Sequence, residues 1–495
     1  MTNNFSLLIP EFLVTGLAFL ILSLDLFISE KRKNHLVWVG VIGLFGILII
    51  TLLIFSNGIL YQGLLVFDDY TNLFRIFFLI AGIIVLISSN EFVKSNIKYQ
   101  GEFYGILIFT ILAAMLLASS SELLTAYISL ELLSFGLYVL VSFDRYNLKS
   151  NESGVKYVLL GAFSSALILY GISNIYGVLG TTRFDEISLM LVSINDLNPF
   201  LILGFIFLFA GLGFKLSAVP FHMWAPDVYE GSPLPITAWL SVGSKVATIA
   251  LVLRLFCESL LEIGNEWQLI IIVLSVATML IGNLGALVQT NIKRLLAFSS
   301  VGHMGYILMG ISALISINED GSISTGMTTL VLNGIIFYVI AYAITNFAAF
   351  TSVIAVYNHT AKDSVSNFAG LSKRAPFLSL VLVCSMFSLA GLPVFAGFTS
   401  KFYLFNAVAS QDLLWLVGIG IVTSLISLYY YLMIARQMYI EEGIDLSSIN
   451  ISLSIKLVLG VLLVGMIVGG IFPSPLMDLI ELASEALISL SLIHI

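Results

Sequence analysis

Runs of about twenty apolar residues recur along this chain from end to end, and most charged residues fall between them. A helix of that length crosses the roughly 30 Å hydrocarbon core of a bilayer. A backbone in lipid must satisfy its own hydrogen bonds, so such a chain folds as a bundle of spanning helices. About fourteen runs can be read, near 6–28, 36–56, 72–90, 102–120, 122–142, 155–176, 199–220, 235–256, 268–288, 295–316, 328–353, 376–406, 412–434 and 453–473. The expected fold class is therefore an all-α polytopic membrane protein. Composition agrees: 59% of residues are hydrophobic and 10% charged, with a mean hydropathy of +1.06, where a soluble chain carries about a quarter charged residues.

The placement of charge tests the assignment. With the N-terminus outside, the inner loops hold fourteen of the 21 basic residues, from Lys31, Arg32 and Lys33 through Lys293 and Arg294 to Arg436. The outer loops hold Arg183 and the acidic stretches Glu258–Glu262–Glu266 and Glu319–Asp320. This positive-inside bias supports fourteen spans with both termini outside. The start, MTNNFSLLIPEFLV, has no basic leader and no small-residue cleavage site, so it reads as an uncleaved first span. The net charge of −8 says little about partners. The partner implied is the lipid bilayer, and no nucleic acid is expected. Cys257 and Cys384 are isolated, and there is no CxxC, P-loop or dinucleotide fingerprint. No redox centre, metal or cofactor is expected in this chain.

Six basic residues remain. Arg75, Arg254 and Lys456 lie near span ends, where long side chains snorkel. Lys215, Lys245 and Lys401 lie deeper. Residues 211–245 hold two of these lysines and four of the ten prolines, Pro220, Pro226, Pro233 and Pro235. The twelfth run is about 30 residues, longer than a core crossing needs, and carries Gly391-Leu-Pro393 before Lys401. Both read as discontinuous helices, seven and twelve, of the kind that line ion paths. Two five-span units, spans 4–8 and 9–13, put these breaks in matching places. An odd number of spans makes the two units inverted repeats. The expected organisation is an N-terminal segment 1–101, a first repeat 102–256, a second repeat 268–434, and a C-terminal helix and tail 435–495. That tail lies along the outer interface or packs as a helix.

The buried ionisable groups carry the chemistry. Glu131 lies mid-span with Tyr127 and Ser134 a turn to either side. It is a satisfied structural carboxylate or the ion partner of Lys215. Burial favours a neutral lysine and a nearby carboxylate favours a charged one, so a lysine whose carboxylate can approach or withdraw takes up and releases protons. Lys245 reads as a relay between the broken helices, or as a neutral lysine bonded to serines. Lys401 reads as an exit-side lysine, or as a span-end snorkeler. His303 and His222 read as proton relays or as hydrogen-bonded core residues. Asp227 and Glu230 read as helix-start chemistry, Asp25, Asp68 and Asp69 as solvated or capping, and Tyr429, Tyr430 and Tyr431 as packing and interface residues.

Several stretches resemble one family. KLSAVPFHMWAPDVYEGSPLPITAWLSVGSKVA, NIKRLLAFSSVGHMGYILMG, GLPVFAGFTSKFYLF, SLELLSFGLYVL and GVKYVLLGAFSSALILYG are similar to the subunit N (NADH dehydrogenase subunit 2) family of respiratory complex I. The resemblance covers nearly the whole chain. It implies a fourteen-helix antiporter-like fold with two inverted repeats, and proton translocation coupled to quinone reduction elsewhere in the complex. It places Glu131, Lys215, Lys245, His303 and Lys401 on the proton path. It implies the other membrane-arm subunits as partners, and a parent complex using NADH, FMN, iron–sulfur clusters and a quinone. The expected location is a bacterial inner (plasma) membrane, with the mitochondrial inner membrane as alternative. Antiporters usually read PDAxEAP where this chain has Pro226-Asp-Val-Tyr-Glu-Gly-Ser-Pro233, and histidine where it has Lys245. Met223-Trp-Ala differs from the Gln-Trp-Thr of the photosynthetic relatives. The competing readings are a stand-alone cation/proton antiporter, the equivalent subunit of a photosynthetic complex, and a membrane scaffold.

Overall fold

The computed structural model describes residues 4–55, 57–193, 198–315, 324–443 and 447–492, and there the chain is almost wholly helical. The first half comprises α1 (Ile9–Phe27), α2 (Leu36–Leu53), α3 (Asp69–Asn96), α4 (Gln100–Ser119), α5 (Leu123–Val141), α6 (Leu148–Leu179), α7 (Phe184–Ser193), α8 (Pro199–Leu216), α9 (Trp224–Gly231), α10 (Leu234–Trp239) and α11 (Lys245–Leu255). The second comprises α12 (Gly264–Leu287), α13 (Ile292–Ser312), α14 (Thr325–Thr360), α15 (Leu371–Arg374), α16 (Pro376–Ala390), α17 (Ala396–Ala409), α18 (Leu414–Tyr439), α19 (Leu453–Ile471) and α20 (Ser474–Leu492). Strands β1 (Gly58–Leu60) and β2 (Leu65–Phe67) form a small antiparallel hairpin before α3, with Ile59 opposite Val66. Glu319 and Asp320 lie outside the described residues.

Among the described residues, 12 helical stretches are long and apolar enough to cross a membrane. They differ from the fourteen expected runs in two places. Leu234–Leu287 forms one stretch of 54 residues containing two expected runs. It is not a straight rod. The rings of Phe256 and Trp267 meet edge to face with centroids 4.5 Å apart, where a straight helix would separate these residues by about 16 Å. The chain turns at the single 3-10 turn Leu261–Ile263, and Trp267 Nε1–H donates to the Leu260 carbonyl at 2.8 Å. The second place is the twelfth run, which divides into α16 and α17, of 15 and 14 residues. The count of fourteen rests on reading the first place as two crossings and the second as one broken crossing.

Both breaks are satisfied by protein, as backbone at membrane depth must be. The first lies between α8 and α9, where Ser217 turns left-handed at φ 59° and Pro220 follows. The freed Phe214 carbonyl accepts from Trp224 Nε1 at 2.8 Å, and the Val219 N–H donates to Thr278 Oγ1 at 3.0 Å. The second lies after α16, where Gly391 takes φ 86°, a conformation glycine reaches without a Cβ penalty. Pro393 cannot extend the helix. The orphaned carbonyls of Leu389 and Ala390 accept from Lys401 Nζ, each at 3.0 Å. A cation at a helix C-terminus is also favoured by the aligned peptide dipoles.

The most enclosed of the spans is α13, with 94% of its most apolar window buried. The C-terminal helix α20 packs on α3 and α14 through Ile480, Ala483 and Leu487, while Asp478, Glu481 and Glu485 face outward. The packing expected of this segment is observed.

Two expectations for charged residues fail. Arg75 and Arg254 do not snorkel. Arg75 is buried and binds Glu11 through two hydrogen bonds of 2.7 and 2.8 Å. Arg254 is fully buried and binds both Asp68 oxygens at 2.9 and 2.8 Å, Thr71 at 3.0 Å and Glu258 at 2.6 Å. Asp68 caps α3 through the Thr71 N–H, but it is buried in this cluster rather than solvated, and so is Glu258. Long cations turn inward here because buried carboxylates wait for them, and an unpaired buried carboxylate costs more than an ordered arginine.

Candidate functional site

The residue types at membrane depth dictate the geometry. A lysine there needs acceptors for its three protons, and an apolar bundle offers only hydroxyls, carbonyls released at breaks, and rare carboxylates. Lys215 ends α8 one residue before the break. Its Nζ donates to Ser134 on α5 at 2.8 Å and stands 3.9 Å from Glu131 on the same helix. Ser165 on α6 donates a short hydrogen bond to Glu131. Glu131 and Lys215 are therefore brought together, as an ion pair at the outer limit of contact, with a serine on each partner. Such a pair tightens or parts with a small movement of either helix.

Lys245 is fully buried at the start of α11. The serines of its own helix do not serve it: Ser241 and Ser244 donate to the carbonyls of Ala238 and Leu240. Its Nζ donates instead to Ser300 on α13 at 2.6 Å. Ser300 shares a 2.7 Å hydrogen bond with the Tyr342 hydroxyl on α14. His303, one turn after Ser299 on α13, is 2.6 Å from the Tyr338 hydroxyl and 3.3 Å from that of Tyr431. Tyr431 also pairs closely with Ser299. Tyr431 is thus a polar partner inside the bundle, where a packing or interface residue was expected. A narrow cavity of about 10 Å³, room for about one water, is lined by His303, Tyr338, Tyr342, Thr345, Ser388 and Lys401. Lys401 is buried, bound to the two carbonyls of the break and to Ser424 at 2.8 Å. Burial and three acceptors show that it does not snorkel.

The five residues form a line rather than a cluster. No hydrogen bond joins Lys215 to Lys245 among the described residues, and aromatic rings stand between them. Of the hydroxyls in contact with these groups, Ser134 stood out beside Glu131, while Ser165, Ser300, Tyr338 and Tyr342 escaped the sequence reading. Ser300 and Ser165 lie in conspicuous stretches, but a hydroxyl in an apolar helix usually bonds its own backbone and gives no signal. His222 lies in the irregular turn before α9, buried, and its Nδ1 has no partner among the described residues.

Asp227 and Glu230 lie on α9, outside the spanning helices. They do more than start a helix. Asp227 binds Lys156 at 2.8 Å and Arg294 at 2.7 Å; Glu230 binds Lys149 at 2.8 Å and Arg294 at 3.0 Å. This clamps α9 to α6 and α13. Partial burial opposes ionisation of both carboxyls, but Lys156 and Arg294 at Asp227, and Lys149 and Arg294 at Glu230, outweigh it and hold them below the usual range. A carboxyl depressed on folding contributes stability that is present above its unfolded pKa, about 4, and lost as pH falls through its folded value. Asp227→Asn is expected to lower the thermal stability of the detergent-purified chain at pH 7, with a deficit that shrinks as pH drops below about 4. Differential scanning fluorimetry across pH checks this; a deficit equal at pH 7 and pH 3 contradicts it.

A family model described as "NADH:quinone oxidoreductase/Mrp antiporter, TM" matches residues 120–427. NADH-quinone oxidoreductase subunit N of Desulforamulus reducens is 39% identical over 98% of this chain and 99% of its own. The same subunit of Heliobacterium modesticaldum is 39% identical over 98% of this chain and all of its own, 100%. Among solved structures, respiratory complex I from Thermus thermophilus holds a chain that matches with a TM-score of 0.78 and 26% identity, covering 95% of this chain and 99% of that one. The Mrp complex of a Dietzia species holds one with a TM-score of 0.83 at 19% identity, covering 99% and 98%, a likeness of fold. The chain belongs to the NADH-quinone oxidoreductase subunit N family.

Proposed function

We propose that this chain is a proton-translocating membrane-arm subunit of an NADH:quinone oxidoreductase, moving protons across the membrane as quinone is reduced in other subunits. The observation that supports this reading is the set of ionisable groups enclosed near the two satisfied helix breaks: the Glu131–Lys215 pair and the buried Lys245, His303 and Lys401. In this reading Glu131 and Lys215 are the switchable pair, Lys245 and His303 relay the proton along the centre, and Lys401 communicates with the outer phase. The energy comes from partner subunits carrying NADH, FMN, iron–sulfur and quinone sites; of these, the relatives' names support NADH and quinone. The chain is a multi-pass protein of a bacterial plasma membrane, with fourteen crossings and both termini outside. Residues 102–256 and 268–434 are inverted repeats, flanked by 1–101 and 435–495.

Two measurements test this. Inverted membrane vesicles lacking the chain should lose NADH-driven proton uptake and regain it on complementation. The purified chain in proteoliposomes should oxidise no NADH; robust NADH oxidation by the isolated chain would sink the proposal. Sodium-dependent proton flux by the isolated chain would instead favour the antiporter reading.

A further inference from the structure

The gap between Lys215 and Lys245 is spanned by a series of aromatic residues in contact. Lys215 Nζ is 5.9 Å from the centre of the Tyr138 ring. Tyr138 meets Tyr157 edge to face at 4.8 Å, Tyr157 stacks on Trp224 at 4.9 Å, and Trp224 meets Tyr229 at 6.2 Å. Lys245 Nζ is 5.8 Å from the centre of the Tyr229 ring. The first and last tyrosines are both buried, and each hydroxyl lacks a well-formed hydrogen bond among the described residues. Each lies beside the serines that serve the lysines. The Tyr138 hydroxyl is next to Ser134 and Ser165, the partners of Lys215 and Glu131. The Tyr229 hydroxyl is next to Ser300, the partner of Lys245.

A buried hydroxyl without a partner is costly, while phenylalanine would fill the same space without that cost. The hydroxyls are therefore retained at a loss to packing, and their place at the two ends of the gap says for what. A second observation concerns Gly161 on α6. A Cβ built there would fall 2.0 Å from the Tyr138 hydroxyl. Glycine inside a helix is destabilising, and here it gives the Tyr138 hydroxyl its seat.

We infer that Tyr138 and Tyr229 are the positioning hydroxyls that pass a proton, with intervening water, between Lys215 and Lys245, and that Gly161 admits Tyr138 to this place. The step balances. The Lys215 ammonium loses one proton to an adjacent hydroxyl, which releases its own proton onward to water. Waters alongside the ring series hand the proton on, and the Tyr229 hydroxyl takes one from the last of them and releases its own toward the neutral Lys245 amine. Each hydroxyl ends as it began.

This inference rests on the proposed roles of Lys215 and Lys245. The test compares Tyr138→Phe and Tyr229→Phe with Lys245→Met in inverted vesicles containing the full complex, measuring protons taken up per NADH oxidised. Each Phe variant should lose proton uptake by about tenfold or more, with unchanged or higher thermal stability, because only an unpartnered hydroxyl is removed. Gly161→Ala should also lower uptake, because its Cβ would meet both the hydroxyl and the ring edge of Tyr138. If both Phe variants pump like wild type while Lys245→Met does not, the inference is overturned and the proposed function stands. If Lys245→Met also pumps normally, the lysine roles themselves fail. A Phe variant that loses uptake together with thermal stability also overturns it.

Discussion

Lys215→Ala is expected to cut NADH-driven proton translocation by about 10²-fold, the lower end of what a positioned proton carrier contributes, while the assembled complex persists in the membrane. The substitution removes the one cation in ion-pair contact with Glu131 among the described residues but leaves that carboxyl its Ser165 donor, and leaves Ser134 bonded to the Leu130 carbonyl. Glu131 can bind a proton and become neutral, so the buried site need not hold an unpaired charge. A scaffold that uses the pair only for packing would pump normally. Lys215→Arg sharpens the distinction. Arginine keeps the charge and the pairing but does not deprotonate in proteins. If the lysine is only an anchor for Glu131, arginine restores activity. If it must release a proton, arginine leaves translocation near the alanine level. Proton uptake in inverted vesicles, normalised to complex content, reads both outcomes.

Arg254→Met should have the largest effect on the fold itself. The guanidinium is fully buried and holds Asp68 at the start of α3 together with Glu258, which also accepts from Ser121 at 2.5 Å. Deleting one partner of a buried ionic cluster costs about 3–5 kcal/mol, because the remaining charges lose their compensation. That is a large part of the about 5–15 kcal/mol by which proteins are stable. Membrane content of the chain should fall sharply, and detergent extracts should lose their folded state at lower temperature. Adding Asp68→Asn and Glu258→Gln should restore much of the loss, since no unpaired charge then remains. Wild-type content of Arg254→Met would contradict a structural role for the cluster.

What could be read from the sequence follows from how local each signal is. The breaks were legible at Pro220 and at Gly391-Leu-Pro393, because those residues restrict the backbone wherever they stand. Lys215, Lys245 and Lys401 stood out because charge at membrane depth is rare. Arg254 was misread because its fate depends on Asp68, 186 positions away; next to a span end, a lone arginine looks like any other that snorkels. Glu131 and Lys215 could be named as partners but not placed in contact, since neither helix encodes its neighbour. The hydroxyls of Ser300, Tyr342, Tyr338 and Tyr431 were illegible for the same reason. Each becomes part of the line only because α13, α14 and α18 bring their polar faces together at the most enclosed point of the bundle.

Lys245 gives the most direct test of the central claim, because structure and function pull it in opposite directions. It is fully buried, and its Nζ has Ser300 as hydrogen-bond partner and no carboxylate in salt-bridge contact among the described residues. For packing alone, methionine of similar length would serve as well or better. The measurement is protons translocated per NADH oxidised in vesicles carrying Lys245→Met, with the thermal stability of the same complex. If the buried lysines carry protons, translocation collapses while stability holds or rises. Wild-type proton translocation by Lys245→Met would contradict the account.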